Sequence, residues 1–184
     1  MRKVVASEFL TLDGVMGLPE RWNLAYLNEE MGRTIGEGFA AAAAMLMGRV
    51  LYEEWATYWP QQDPEENPFA AQMNGVRKYV VSTTLEGPLG WQNSTLIKGD
   101  VADKIANLKQ GEGGDIVISG SGALVRSLLR LGLLDELKLM IHPILVGGGK
   151  RLFEEGEEQT KLELVDSRAF STGGLYLTYR PVRD

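Results

Sequence analysis

Late in the chain, the β-branched run Asp115-Ile116-Val117-Ile118 stops at Ser119-Gly120-Ser121-Gly122, and a helical pattern begins at Ala123. Strand, glycine turn and helix in that order can hold an anion. The first turn of a helix carries N–H groups with no intrahelical acceptor and the positive end of the helix dipole. Glycine lets a phosphate approach the backbone with no Cβ in the way. Gly120, Ser121, Gly122 and Ala123 can supply such donors, and the Ser119 and Ser121 hydroxyls can add to them. A tight turn with no ligand is the commoner use of such a motif, so it needs company. A dinucleotide fingerprint of the G-x-G-x-x-G type would place glycine or alanine at Val125 and an acid near Leu139 and Met140, and this chain has neither.

The company is in three other segments. Met47-Gly48-Arg49-Val50, Ser82-Thr83-Thr84 and Thr11-Leu12-Asp13-Gly14-Val15 each stand at or near the end of a predicted strand. Ligands of open α/β sheets sit at the carboxyl ends of strands. An arginine with several hydroxyls suits a phosphate monoester, a ribose 2′-phosphate among them. Singly, each has an ordinary use. Arg49 can pair with Glu53 four residues on, and residues 82–84 can simply end a strand. Their coincidence at one end of a sheet favours a site.

The elements that must position these residues follow from pattern. Residues 3–10, 79–82, 94–97, 116–119 and 137–144 are expected as strands, as is the end of the ambiguous alanine-rich run at 42–47. Helical spacing covers residues 22–39, 49–55, 101–108 and 123–131, the last closed by Gly132. Residues 60–68, PQQDPEENP, form a loop or a lid. Residues 162–170 and 175–180 alternate as a β-hairpin. Alternation of strands and helices predicts an α/β, single-domain, mixed and mostly parallel sheet flanked by helices, with a C-terminal antiparallel hairpin.

Composition narrows the function classes. The chain has 184 residues, 44% hydrophobic and 24% charged, enough for one sizeable core. A net charge of -6 argues against a nucleic-acid footprint. The absence of cysteine removes disulfide and thiolate chemistry, and the single histidine, His142, argues against a metal site. The N-terminus is too quickly polar for a signal peptide, and no apolar run is long enough for a membrane span. A cytoplasmic protein is expected.

At the residues above, the chain resembles the dihydrofolate reductase-like family, most closely the branch with the reductase domain of bacterial riboflavin biosynthesis proteins (RibD C-terminal). Residues 115–153, DIVISGSGALVRSLLRLGLLDELKLMIHPILVGGGKRLF, carry most of the likeness; MGRVLYEEW, YVVSTT and TLDG carry the rest. The resemblance spans nearly the whole chain and implies one such domain over residues 1–184. It implies NADPH as cofactor, with Gly48, Arg49 and Val50 along its adenosine phosphate region. Ser82, Thr83 and Thr84 would meet the 2′-phosphate. Gly120, Ser121, Gly122, Ala123 and Leu124 would hold the pyrophosphate, and residues 11–16 would lie near the nicotinamide. The implied reaction is hydride transfer to a small heterocycle, pterin- or pyrimidine-like, or to a carbonyl or imine compound.

Two departures bear on substrate. In RWNLAYL, Leu27 stands where folate reductases of the family carry an acid. Glu29 and Glu30 lie roughly 200° and 300° around a helix from it. Folate is therefore not the expected substrate. Val15 stands where the riboflavin-pathway reductases commonly carry lysine after D-G, which argues against a phosphorylated ribosyl substrate. Asp13 is the remaining acid near the reacting end, either a proton relay or a turn residue beside Gly14. Trp22, Tyr52 and Trp55 are the candidate substrate-binding aromatics, with Tyr26, Tyr58 and Trp59 nearby, although aromatics at helical spacing are usually core. His142 is expected as an ordinary strand residue, and Gly147-Gly148-Gly149-Lys150 as a turn. Two function classes fit: an NADPH-dependent reductase, or a non-catalytic NADPH-binding protein on the same fold. The long alternating C-terminal strands, with the resemblance, point to a homodimer.

Overall fold

The structure, a computed structural model, describes residues 1–156 and 158–182. The strands are β1 (Val4–Thr11), β2 (Ala42–Gly48), β3 (Arg77–Val81), β4 (Ser94–Ile97), β5 (Asp115–Ile118), β6 (Glu136–His142), β7 (Leu162–Ala169) and β8 (Leu175–Pro181). The helices are α1 (Glu29–Ala40), α2 (Arg49–Tyr58), α3 (Pro68–Gly75), α4 (Val101–Lys109) and α5 (Gly122–Arg130). One eight-stranded sheet runs β4-β3-β2-β5-β1-β6-β8-β7. The pairs from β4 to β6 are parallel; β8 is antiparallel to both β6 and β7. The expected mixed, mostly parallel α/β sheet with its C-terminal hairpin is what forms.

Side chains alternate across the strands, so the core splits in two. Val4, Ala6 and Leu10 share a face with Leu46, Ile118 and Leu139, and this face packs against Ile105 of α4 and Val125 and Leu128 of α5. The other face carries Met45, Met47 and Val80, covered by Tyr52 of α2 and Met73 of α3. Beside it, Met140 meets Met31 of α1 and Phe170. Full burial of side chains of this size contributes roughly 1.5–3 kcal/mol each.

Two expectations change. Residues 22–39 are not one helix. Short 3-10 turns occupy Pro19–Arg21 and Leu24–Tyr26, Leu27 is extended, and α1 starts only after Asn28, whose Oδ1 accepts the Met31 N–H at 2.9 Å. Met31 and Ile35 reach the core as expected, whereas Leu24 and Leu27 are exposed. Beyond the loop at 60–68, α3 appears where no helix was expected, capped by the Asn67 side chain on the Phe69 N–H at 3.2 Å.

The second core contains buried polar groups that are satisfied locally. Lys78 is fully buried, and its Nζ donates to the Val76 and Asn74 carbonyls at 2.7 and 3.2 Å and stands 4.3 Å from the centroid of the Trp91 ring. Burial pushes its pKa down to about 8. Tyr52 is 5% exposed and its Oη accepts the buried Trp91 N–H at 3.0 Å. The expected substrate contact at Tyr52 is therefore corrected: this ring is core. Trp55 packs half-buried against the same cluster, edge-on to Trp59. Tyr52→Phe should leave the Trp91 N–H unpaired and lower stability by about 1–2 kcal/mol in urea unfolding, with cofactor binding unchanged. Weakened cofactor binding at unchanged stability would return Tyr52 to the site.

Candidate functional site

The site begins with a short strand between two longer ones. β1 last pairs with β5 at Ala6↔Ile118, and β2 last pairs with it at Met45↔Val117. β1 continues to Thr11 and β2 to Gly48, so both outrun β5. The slot above Ile118 is floored by the turn at residues 119–122. Gly120 has φ +77, in the left-handed region that favours glycine, and the Gly120–Ser121 peptide is cis.

Two helix N-termini meet at this slot. A Cβ on Gly48, the residue before α2, would lie 3.0 Å from the Ser121 Cβ, the residue before α5. Any side chain at residue 48 would crowd Ser121. Ser121 O accepts from the Leu124 and Val125 N–H groups at 3.0 and 3.1 Å. The N–H groups of Gly122 and Ala123 have no protein acceptor among the described residues. They are the free donors of the cradle, aligned with the positive helix end. Leu124 differs from the expectation for it: its N–H is already engaged and its side chain lies in the core.

Beneath the turn lies a residue that the sequence did not single out. Glu8 is 4% exposed, and its Oε1 accepts the Gly120 N–H at 2.9 Å. Burial pushes its pKa up to about 8, against the opposing pull of that N–H and of Lys150. Glu8 thus ties the turn to β1 as a neutral acid at pH 7. The available signal was parity: Glu8 shares the inward face of Val4, Ala6 and Leu10.

The loop after β1 forms the next wall. Of the two readings of Asp13, its contacts are those of the turn residue. Its carboxylate accepts from the Thr11 hydroxyl at 2.5 Å and the Gly147 N–H at 2.9 Å, and its carbonyl accepts from Arg151. The Thr11 hydroxyl holds its pKa below the usual value, so it stays ionised and fastens residues 146–147 to the loop. Residues 147–150 bend without closing a hydrogen-bonded turn, and Lys150 O accepts the Met16 and Gly17 N–H groups at 2.8 and 3.2 Å. Met16 is thereby set over the cradle: a Cβ on Gly122 would lie 2.8 Å from its Sδ.

Gly48 pairs with Val81, so Arg49 and Ser82 leave adjacent strands side by side. Arg49 Nη1 pairs with Glu53 at 2.7 Å, both about half exposed. Such a pair is worth about 0–1 kcal/mol and exchanges readily for a phosphate. Ser82 Oγ accepts from the Thr84 and Leu85 N–H groups at 3.1 and 3.0 Å, leaving Thr83 and Thr84 exposed beside Arg49. Val50 is exposed on the first turn of α2. Glu29 is exposed and paired with Arg33, and Glu30 is exposed too, so neither replaces an acid at Leu27.

Trp22 lies at the other end of the slot, 8% exposed, with its Nε1 donating to Gly17 O at 3.0 Å. Its ring meets His142 edge-on at 5.2 Å, and Tyr26 and Phe9 meet the same imidazole at 5.9 Å. His142 is thus the centre of an aromatic box rather than an ordinary strand residue. Cavities of about 490 and 350 Å³ open instead around Arg77, near the amino ends of β2 to β4. The strand-end slot carries the convergent donors, so chemistry favours it over those hollows. Among the described residues, no group of His, Cys, Asp or Glu could hold a metal ion, and no helix is long and apolar enough to cross a membrane.

Comparison with known proteins bears on the family and the fold. The family model of the RibD C-terminal domain matches residues 2–176. The uncharacterized protein YyaP of Bacillus subtilis (strain 168) is 29% identical over 181 residues, covering 97% of this chain and 94% of its own. A putative riboflavin biosynthesis protein from Shewanella sp. PV-4 superposes over 100% of both chains with a TM-score of 0.77 at 24% identity. Dihydrofolate reductase from Enterococcus faecalis, solved with NADP(H) and RAB-propyl, superposes over 97% of this chain and 96% of its own with a TM-score of 0.64 at 14% identity. The fold is dihydrofolate reductase-like.

Glu8 yields a pH prediction with a definite sign. Its folded pKa is raised from 4.5 to about 8, so unfolding releases its proton between those values and stability falls as pH rises through that window. Glu8→Gln keeps an acceptor for Gly120 and cannot ionise. Its stability relative to the wild type should therefore grow by a few kcal/mol between about pH 5 and about pH 9 in urea titrations. A difference independent of pH would mean that Glu8 ionises normally in the fold.

Proposed function

The chain belongs to the RibD C-terminal domain family, and from that premise we propose that it is an NADPH-dependent reductase of a small planar heterocycle or a carbonyl compound. The observation that carries this reading is the meeting of two helix N-termini over a short strand, with an arginine and three hydroxyl residues beside them. The free N–H groups of Gly122 and Ala123, near α2, fit a pyrophosphate. Arg49, Thr83 and Thr84 fit a ribose 2′-phosphate, with Ser82 holding their turn. These groups are absent from the reacting end, which suits a cofactor laid along the strand ends from Arg49 toward Trp22.

NADPH supplies the hydride when bound. The protein's part is placement: the Gly120 turn and α2 fix the anionic portion, Met16 covers the cradle, and the stapled loop at 11–16 excludes water at the reacting end. Orientation of this kind is the main protein contribution to hydride transfer. Leu27 cannot donate a proton and Asp13 is engaged as a staple, and that favours one alternative, an NADPH-binding protein without turnover. A wide panel of electrophiles that leaves NADPH unoxidised despite tight binding would support it. The reading also takes the protein as a homodimer. β7 is an edge strand exposed on both faces, with Leu164 and Val165 uncovered, and such edges are usually covered by a partner. Light scattering at micromolar concentration should give twice the chain mass, and a monomeric mass would exclude the dimer.

Titration with NADPH and NADH, followed by tryptophan fluorescence, should show tighter NADPH binding. Arg49→Ala should narrow the difference by about tenfold, the loss of one charge-assisted phosphate contact. If neither cofactor binds, the reductase reading fails.

A further inference from the structure

The charge state of Glu8 bears on what the anion cradle can hold. Glu8 stands just past Ala6, the last β1 residue paired with β5, where the slot begins. Its side chain is buried and reaches across to the turn, taking the Gly120 N–H on Oε1 at 2.9 Å. Beyond that contact, Gly122 and Ala123 open α5 with the N–H groups that fit a phosphate. One short turn therefore serves a shielded carboxyl at its start and an anion site at its end.

The surroundings of Glu8 set the sign of the coupling between the two. Opposite it on β6 is the apolar Leu139. From the segment at 147–150, Lys150 pulls on the carboxyl as a countercharge. From α5, Arg126 stands beside Gly122, but its guanidinium donates to Leu152 O at 2.8 Å and pairs with Glu154 at 2.9 Å. Burial outweighs the pull of Lys150 and of the Gly120 N–H, and the pKa stands at about 8. Protonated, Glu8 still accepts from Gly120. Ionised, it sets a negative charge against the same turn and helix end that a phosphate needs. Two anions at one turn repel strongly where water screens them little. A bound pyrophosphate therefore tightens the hold of Glu8 on its proton. By reciprocity, the protonated turn binds pyrophosphate more tightly.

We infer that Glu8 is the positioning residue of the anion cradle, and that an anionic cofactor binds there together with one proton held on the Glu8 carboxyl. This rests on the reductase reading above, which takes the cradle as the pyrophosphate site. Glu8 acts through the Gly120 turn and passes no proton to substrate. The proton comes from solvent as the cofactor binds and returns to solvent as it leaves. Alkaline conditions thereby empty the site while every group that contacts the cofactor keeps its charge.

Calorimetric titration with NADPH at about pH 8.5, in two buffers of different ionisation enthalpy, should show uptake of at least about half a proton per site. Glu8→Gln keeps an acceptor for Gly120 and cannot ionise, so it should lose that uptake. From about pH 7 to about pH 9, the wild-type NADPH Kd should rise about tenfold relative to that of Glu8→Gln. Lys78 titrates in the same range, but it does so in both proteins, and their difference belongs to Glu8. A carboxyl that merely braced the turn would shift the Kd equally at every pH and take up no proton. Wild-type binding without proton uptake overturns the inference, whether or not the variant folds. An equal rise of Kd in both proteins overturns it as well. In both of those outcomes NADPH binds and the reductase reading stands. If NADPH binds at neither pH, the reductase reading falls and this inference falls with it.

Discussion

A central strand that stops early shapes everything at the functional end of this molecule. β5 is flanked by β1 and β2, and both run past it. A sheet cannot leave such a gap empty of structure, because the chain leaving β5 must turn within it. The turn here is short, glycine-containing and leads straight into α5. It therefore brings a helix terminus to the gap, and the close approach of Gly48 to Ser121 brings a second. Polar backbone lines the gap, while each flanking strand keeps its hydrogen bonds on its far edge. The apolar cores on both faces hold these strands in register, so the slot is as rigid as the sheet.

Much of this was legible in the chain. The strand order of events, apolar run, glycine, helix, is local, and local periodicity reports it well. The cluster of Arg49, Ser82 and Gly120 could be anticipated because strand ends of an α/β sheet converge whatever the side chains are. Other residues were not legible because their neighbours are distant in sequence. Glu8 looks like a polar break in an apolar strand until its inward parity and Gly120 are known, 112 residues away. Asp13 has the chemistry of a general acid, and only the returning segment at Gly147 reveals that both its oxygens are engaged. Tyr52 and Trp55 illustrate the reverse case: aromatic residues near a site, on a helix whose inner face they build.

Helix boundaries failed for a related reason. Residues 22–39 have helical spacing throughout, but Asn28 offers its side chain to the Met31 N–H, and that cap sets the start of α1. The residues ahead of the cap are released to form short turns against His142. A longer helix would have carried Trp22 and Tyr26 around the axis and away from the imidazole.

The position of β1 also governs how the chain can fold. Val4 pairs with Ile116, and Val5 with Glu136, so the first strand made is flanked by strands made more than a hundred residues later. During synthesis β1 stays unpaired until most of the chain has emerged, whereas β2, β3 and β4 pair in sequence from one contiguous stretch. Pairings between distant segments close slowly and leave apolar strands open to wrong partners meanwhile. The same arrangement that sets β5 between β1 and β2 keeps β1 waiting longest for its partners, and leaves it open to aggregation on the way.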